Sequence, residues 1–199
     1  MTKNIGEQTP ARRDFVLLTA LGFVGMGAAL AAWPFLAHMN PDASAASHAG
    51  IDVDVSSVQP GQTIVVSAQG SPVFIRRRTK PEIDAARAIG PDRLYDPLAR
   101  NAALSATALA TDANRTKEGH AEWIVVVGVC THLSCVLTAN APSSVLADGE
   151  GWLCPCHNAR FDHSGRVSRG PARTNLPVPA YRFTSPSTIR IGWVAPGHG

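Results

Sequence analysis

Cys130 and His132, in the stretch CTHLSC, and Cys154 and His157, in the stretch CPCH, have types and spacing suited to chemistry. Each stretch offers one thiolate and one imidazole. Neither can complete a metal centre alone, but together they supply two sulfur and two nitrogen donors. The remaining cysteines, Cys135 and Cys156, lie in the same stretches, so all four cysteines of the chain fall in one region.

Two centres accept a Cys2His2 set. Zinc takes it tetrahedrally in structural sites. A 2Fe–2S cluster takes it where two histidines replace two cysteines on one iron. Zinc fingers pair like with like in local C-x2-4-C and H-x3-5-H units. Here each unit is mixed, C-x-H and then C-x2-H. A mixed unit lets each loop give its cysteine to the inner iron and its histidine to the outer one. The spacing therefore favours the cluster. A zinc-stabilised binding module without redox function and a pair of ordinary disulfides stand as alternatives at this point.

The two stretches also resemble the two boxes of the Rieske iron–sulfur subunits of quinol–cytochrome c oxidoreductases, the cytochrome bc complexes. The likeness continues in RRDF at 12–15, WPFLAHMNP at 33–41, FIRRRT at 74–79 and GPARTNLP at 170–177, and so covers nearly the whole chain. It implies an all-β Rieske fold, an antiparallel β-sandwich with a small cluster-binding subdomain at about 125–175, plus one N-terminal transmembrane helix. It implies one 2Fe–2S cluster on Cys130, His132, Cys154 and His157, with Cys135 and Cys156 left to pair as a disulfide across the loops. Gly170-Pro171-Ala172 resembles the family's proline loop, which covers the cluster.

The activity implied by the resemblance is electron transfer from quinol to a membrane-anchored c-type cytochrome. His157 would accept a hydrogen bond from the quinol, and the soluble head would swing between partners. The implied partners are cytochrome b, the c-type cytochrome, quinol and membrane lipid, in a dimeric complex. A stand-alone membrane-tethered carrier of the same fold is the alternative. Neutral imidazoles lower the negative charge of such a centre, which is why Rieske potentials span roughly −150 to +300 mV against about −400 mV for plant-type ferredoxins.

The chain departs from the family's common second box, C-P-C-H-G-S-x-Y, by reading CPCHNARF at 154–161. Ala159 stands in place of a serine that donates to a bridging sulfide, and Phe161 in place of a tyrosine that donates to a ligand sulfur. Both donors stabilise the more negative reduced state, so a lowered potential is expected. Ser134 replaces the usual glycine of the first box. If that position needs a positive φ, serine strains the loop.

These loops need a scaffold and a compartment. A chain of 199 residues accommodates one compact domain plus an anchor. The net charge of +3 is spread along the chain, with no basic stripe interleaved with aromatics, so no nucleic-acid partner is expected. Residues 15–37 carry no charge and reach roughly 35 Å as a helix, enough to cross a bilayer core. Trp33 suits a membrane interface. Lys3, Arg12 and Arg13 precede the run, so the N-terminus is expected in the cytoplasm. The head then lies on the periplasmic side of a bacterial inner membrane. Arg12-Arg13 followed by Asp14-Phe15 also resembles a twin-arginine export signal. Ala43-Ser44-Ala45 offers small residues for cleavage, but the apolar run exceeds a signal h-region, so an uncleaved anchor is expected. A disulfide fits an oxidising compartment. The expected organisation is a cytoplasmic segment 1–14, an anchor 15–37, a hinge linker 38–50 and a Rieske domain 51–199.

Within that domain, β-branched and aromatic runs between turn signals predict strands at 63–67, 73–77, 122–129, 151–154, 180–184 and 188–193. A helix is expected at 81–89 behind Pro81, and residues 93–119 read as loop with one short helix. Trp123, Trp152 and Trp193 are expected in the core. Arg76-Arg77-Arg78 reads as a solvated face, and His38, His48, His120, His163 and His198 as surface histidines.

Overall fold

The computed structural model describes residues 12–38, 50–140 and 150–192. Lys3, the Ala43-Ser44-Ala45 stretch, nearly all of the linker, His48, Trp193, His198 and the side chain of His38 lie outside the described residues. The chain divides into two compact units, Met1–Ala46 and Ser47–Gly199.

In the first unit, helix α1 (Arg12–His38) is long and apolar enough to cross a membrane. Its one hydroxyl is satisfied internally: Thr19 Oγ1 donates to the carbonyls of Phe15 and Val16, each at 2.9 Å. That removes the cost of carrying a free polar group into lipid. The helix starts at Arg12, so the twin arginines sit in its first turn.

The second unit holds, among the described residues, nine strands: β1 (Ile51–Asp54), β2 (Thr63–Ala68), β3 (Ser71–Arg77), β4 (Trp123–Val127), β5 (Glu150–Leu153), β6 (Arg160–Asp162), β7 (Val167–Arg169), β8 (Tyr181–Ser185) and β9 (Thr188–Ile191). They form three antiparallel sheets, ordered β1-β9-β8, β2-β3-β4 and β5-β6-β7. The all-β class follows. The expected strands each correspond to one of these, while β1, β6 and β7 went unread. Strand β1 is only IDVD, and it is placed by pairing Ile51 with Ile191 across most of the chain. Strands β6 and β7 are three residues each, too short for a period to register.

One hydrophobic core joins the sheets. Every residue of β4 (WIVVV) is buried, as a continuous apolar run in a covered strand should be. Trp123 and Trp152 lie in that core as expected. Gly128 follows β4, and a Cβ there would stand 2.3 Å from the Phe74 ring. Only glycine lets the chain leave β4 so close to β3 on its way into the CTHLSC loop.

Helix α2 (Lys80–Arg87) begins one residue earlier than expected, with the Thr79 N–H donating to the Glu82 carboxylate at 2.9 Å. The long segment after it contains a short helix α3 (Asp112–Arg115). Buried arginines tie that segment down. Arg166 donates to Asp162 at 2.6 Å and to the carbonyls of Ala86, Ile89 and Ala110. Arg115, fully buried, donates to the carbonyls of Ser164 and Ala99.

The arginine triplet corrects its sequence reading. Arg78 is buried, donating to Asp112 at 2.6 Å and to Ser164 Oγ at 3.0 Å. Arg76 pairs with Glu82, and the Arg77 guanidinium lies over the Trp123 ring at 5.6 Å. None of the three is a freely solvated charge. The partners are 34 and 86 residues from Arg78, out of reach of any local pattern. His163 is a second correction: its side chain is 13% exposed, 3.8 Å from Glu82, and burial pulls its pKa down. His120 stacks on Phe183 at 3.7 Å between ring centroids.

Candidate metal centre

Two loops of matching construction hold the sequence-nominated residues. The first leaves β4 and runs from Cys130 to Cys135; the second joins β5 to β6 and runs from Cys154 to Ala159. In the first, the Cys130 N–H donates to Cys135 O at 2.8 Å and the Ser134 N–H to Cys130 O at 3.0 Å. In the second, the Cys154 N–H donates to Ala159 O at 2.8 Å and the Asn158 N–H to Cys154 O at 3.1 Å. The fifth residue of each loop is left-handed: Ser134 at φ 57° and Asn158 at φ 59°. Asparagine tolerates that region, whereas serine does so less readily. The positive φ suspected for Ser134 is therefore present. An antiparallel bridge between Thr138 and Leu153 sets the loops side by side.

This construction brings the donors together. Cys130 and Cys154 are buried free thiols. The His132 and His157 rings meet edge to face with centroids 4.9 Å apart. His132 is half-buried and its Nδ1 has no hydrogen-bond partner among the described residues, whereas His157 is exposed. Burial pushes the Cys130 thiol up, the backbone N–H of His132 works against this, and the neighbouring Cys154 raises it further. Two adjacent thiols avoid ionising side by side in a dry site unless positive charge joins them. The donor set thus fits a cationic centre bound by two sulfurs and two nitrogens, and the buried His132 Nδ1 has no other partner among the described residues.

Cys135 and Cys156 form a disulfide with Cα atoms 6.7 Å apart, joining the first loop to the second. Cys154 Sγ lies within 4.8 Å of both sulfurs. Those two are bonded to each other and are not thiolates, so this sulfur triad is not itself a ligand set.

A third segment closes on both loops. Gly170, at φ 95°, packs so tightly that a Cβ would stand 2.7 Å from Ala159 Cα. Pro171 is exposed and Ala172 is buried. Thr174 O accepts a 2.6 Å hydrogen bond from Thr131 Oγ1. Asn175 then anchors the segment, donating to Asp96 O and Leu98 O while accepting from the Val167 N–H, all at 2.9 Å. Ala159 and Phe161 are fully buried behind the second loop. At the outer end, Leu133 is 63% and Val136 56% exposed.

Sequence reasoning missed Thr131, Thr174 and Asn158. Asn158 carried a legible signal, since asparagine four residues after a loop-opening cysteine suits a left-handed turn. The threonine pair carried none, because its members are 43 residues apart.

The chain is similar to known proteins along most of its length. The family described as "Rieske [2Fe-2S] domain" matches residues 95–182, and "Ubiquitinol-cytochrome C reductase Fe-S subunit TAT signal" matches residues 2–42. The ubiquinol-cytochrome c reductase iron-sulfur subunit of Cereibacter sphaeroides is 43% identical over 189 residues, 95% of this chain and 99% of that one. Its counterpart from Rhodospirillum rubrum is 45% identical over 184 residues, 92% of each chain. The Bradyrhizobium diazoefficiens protein of the same name is 42% identical over 193 residues, 96% of this chain and all of that one.

Proposed function

Because the chain belongs to the family of ubiquinol–cytochrome c reductase iron–sulfur subunits, we propose that it carries electrons from quinol to a membrane-anchored c-type cytochrome. It does so as the redox subunit of a dimeric complex with cytochrome b. The observation that carries this reading is the pair of matched loops, each holding one buried free cysteine, with the two histidine rings in contact across them.

A 2Fe–2S cluster bound there supplies a one-electron site, at a potential of roughly −150 to +300 mV for this ligand type. Cys130 and Cys154, both buried, would hold it together with His132 and His157. The backbone N–H groups of His132 and Leu133 pull the Cys130 pKa down against the effect of burial and so favour its thiolate. His157 is exposed. Its ring nitrogen away from the metal, once deprotonated, would accept the quinol hydroxyl's hydrogen bond and then its proton. Leu133 and Val136, on and just after the first loop, offer exposed apolar surface for the quinol ring and its surrounding protein. Gly170, Pro171 and Ala172 shield the inner side from water. With Ala159 and Phe161 in place of hydroxyl donors, the potential lies toward the lower end for this family.

Helix α1 anchors the chain by one pass through a bacterial inner membrane, with its lipid-facing surface made of the exposed apolar side chains. Lys3, Arg12 and Arg13 keep the N-terminus cytoplasmic, export runs through the twin-arginine route, and the 51–199 head works on the periplasmic side. Residues 38–50 act as its hinge.

An EPR-monitored redox titration of the purified full-length protein, with an inventory of copurifying haems, tests the reading. A reduced-state signal together with cytochromes b and c is expected. An EPR-silent protein containing zinc would overturn the cluster. A signal without any cytochrome would leave a stand-alone carrier.

A further inference from the structure

We infer that holding Cys154 on the cluster decides which cysteines form the disulfide, and that the cluster-free chain rearranges to a Cys135–Cys154 disulfide with Cys156 free. The sulfurs of Cys135, Cys154 and Cys156 lie within 4.8 Å of one another. Two of them are bonded, and the third is a free thiol. A free thiol held beside a disulfide is the starting arrangement for thiol–disulfide exchange.

The step balances without an added oxidant or reductant. Cys154 Sγ attacks Cys135 Sγ, the Cys154–Cys135 bond forms and the Cys135–Cys156 bond breaks. The bonding electron pair leaves on Cys156 Sγ, which takes up the proton that Cys154 gives up. One disulfide and two thiols stand on each side. Attack on Cys156 instead would close a small ring between residues two apart and unlink the loops. Attack on Cys135 keeps the two loops joined.

The rearrangement moves the free thiol outward, from Cys154, which is 1% exposed, to Cys156, which is exposed. It also removes one of the four donors, so loss of the cluster locks the site against refilling. In assembly, the cluster must therefore enter before the disulfide forms. This inference rests on Cys154 being a cluster ligand.

The test uses the full-length chain in detergent, both loaded and after chelator treatment under anaerobic conditions. Each sample is incubated, denatured in iodoacetamide without reductant, and digested. Fragmentation mass spectrometry then places the label on Cys154 or Cys156. In the cluster-free chain the label is expected to move from Cys154 to Cys156, with Cys130 labelled throughout. Iron and sulfide should then restore the EPR signal only after a thiol reductant has been added. Label remaining on Cys154 after prolonged incubation would overturn the exchange. Label on Cys156 in the loaded chain would uphold the exchange and overturn the ligand reading of Cys154. In Cys154→Ser, labelling of Cys156 should be lost; its persistence would assign the exchange to another thiol and overturn the proposal. If that variant does not fold, the wild-type label positions still decide.

Discussion

Thr131 Oγ1 donates a 2.6 Å hydrogen bond to Thr174 O, and this contact ties the first loop to the segment that also presses on the second. Thr131 sits between Cys130 and His132, so the bond acts on the backbone that aims both donors. Thr131→Val keeps the shape and removes the donor. The expected cost is about 0.5–1.5 kcal/mol of stability. The more telling readout is the cluster: its EPR signal should decay several-fold faster on storage at room temperature.

Gly170→Ala attacks the same closure from the other side. An added Cβ meets Ala159 Cα at 2.7 Å, and the residue sits at φ 95°, a conformation open to glycine. Backbone must shift, so loss of cluster occupancy is expected, read as iron per protein after purification.

Ser134→Gly should act in the opposite direction. Serine at φ 57° carries a left-handed cost of about 1–2 kcal/mol, offset by the roughly 0.5–1 kcal/mol entropy that glycine loses on folding. A gain of about 0.5–1 kcal/mol is expected in thermal unfolding. Asn158→Gly should give less, because asparagine already tolerates φ 59°.

The buried Asp112 gives a pH dependence. Burial raises its pKa, but hydrogen bonding and charge from Arg78 and the Ser164 hydroxyl more than offset this, leaving it below the ordinary value. A depressed carboxylate contributes stability above its unfolded pKa of about 3.9 and loses it as pH falls through the folded value. Asp112→Asn should destabilise the protein by roughly 3–5 kcal/mol at neutral pH, since it strands Arg78. The difference in melting temperature between variant and wild type should shrink as pH drops below about 4. A constant difference would assign the loss to packing alone.

The potential is also open to substitution. Ala159→Ser and Phe161→Tyr each offer a hydroxyl beside the second loop, at positions that are fully buried. A donor worth about 1 kcal/mol more to the reduced state raises a one-electron midpoint by roughly 40 mV. The double variant should therefore titrate about 80 mV higher. An unchanged midpoint would mean that other groups already serve the sulfurs.

Residues close in sequence were legible. Mixed C-x-H and C-x2-H units nominated the donors, the spare cysteines nominated the disulfide that the structure pairs, and the uncharged run nominated α1. Strand β4 was legible because a fully covered strand is apolar at every position. Arg78 was misread for the opposite reason. Three successive arginines look solvated until Asp112 and Ser164 arrive from elsewhere in the chain.

Residue chemistry and local spacing thus nominated the donor types, the long apolar helix and the all-β class, because each depends on neighbours a few positions apart. Folding was needed to choose the partner of each group: Thr174 for Thr131, Asp112 for Arg78, Phe74 for Gly128, Ala159 for Gly170. Those contacts join segments tens of residues apart. They exist only once the sheets have paired and the shared core has excluded water, so no local pattern can encode them.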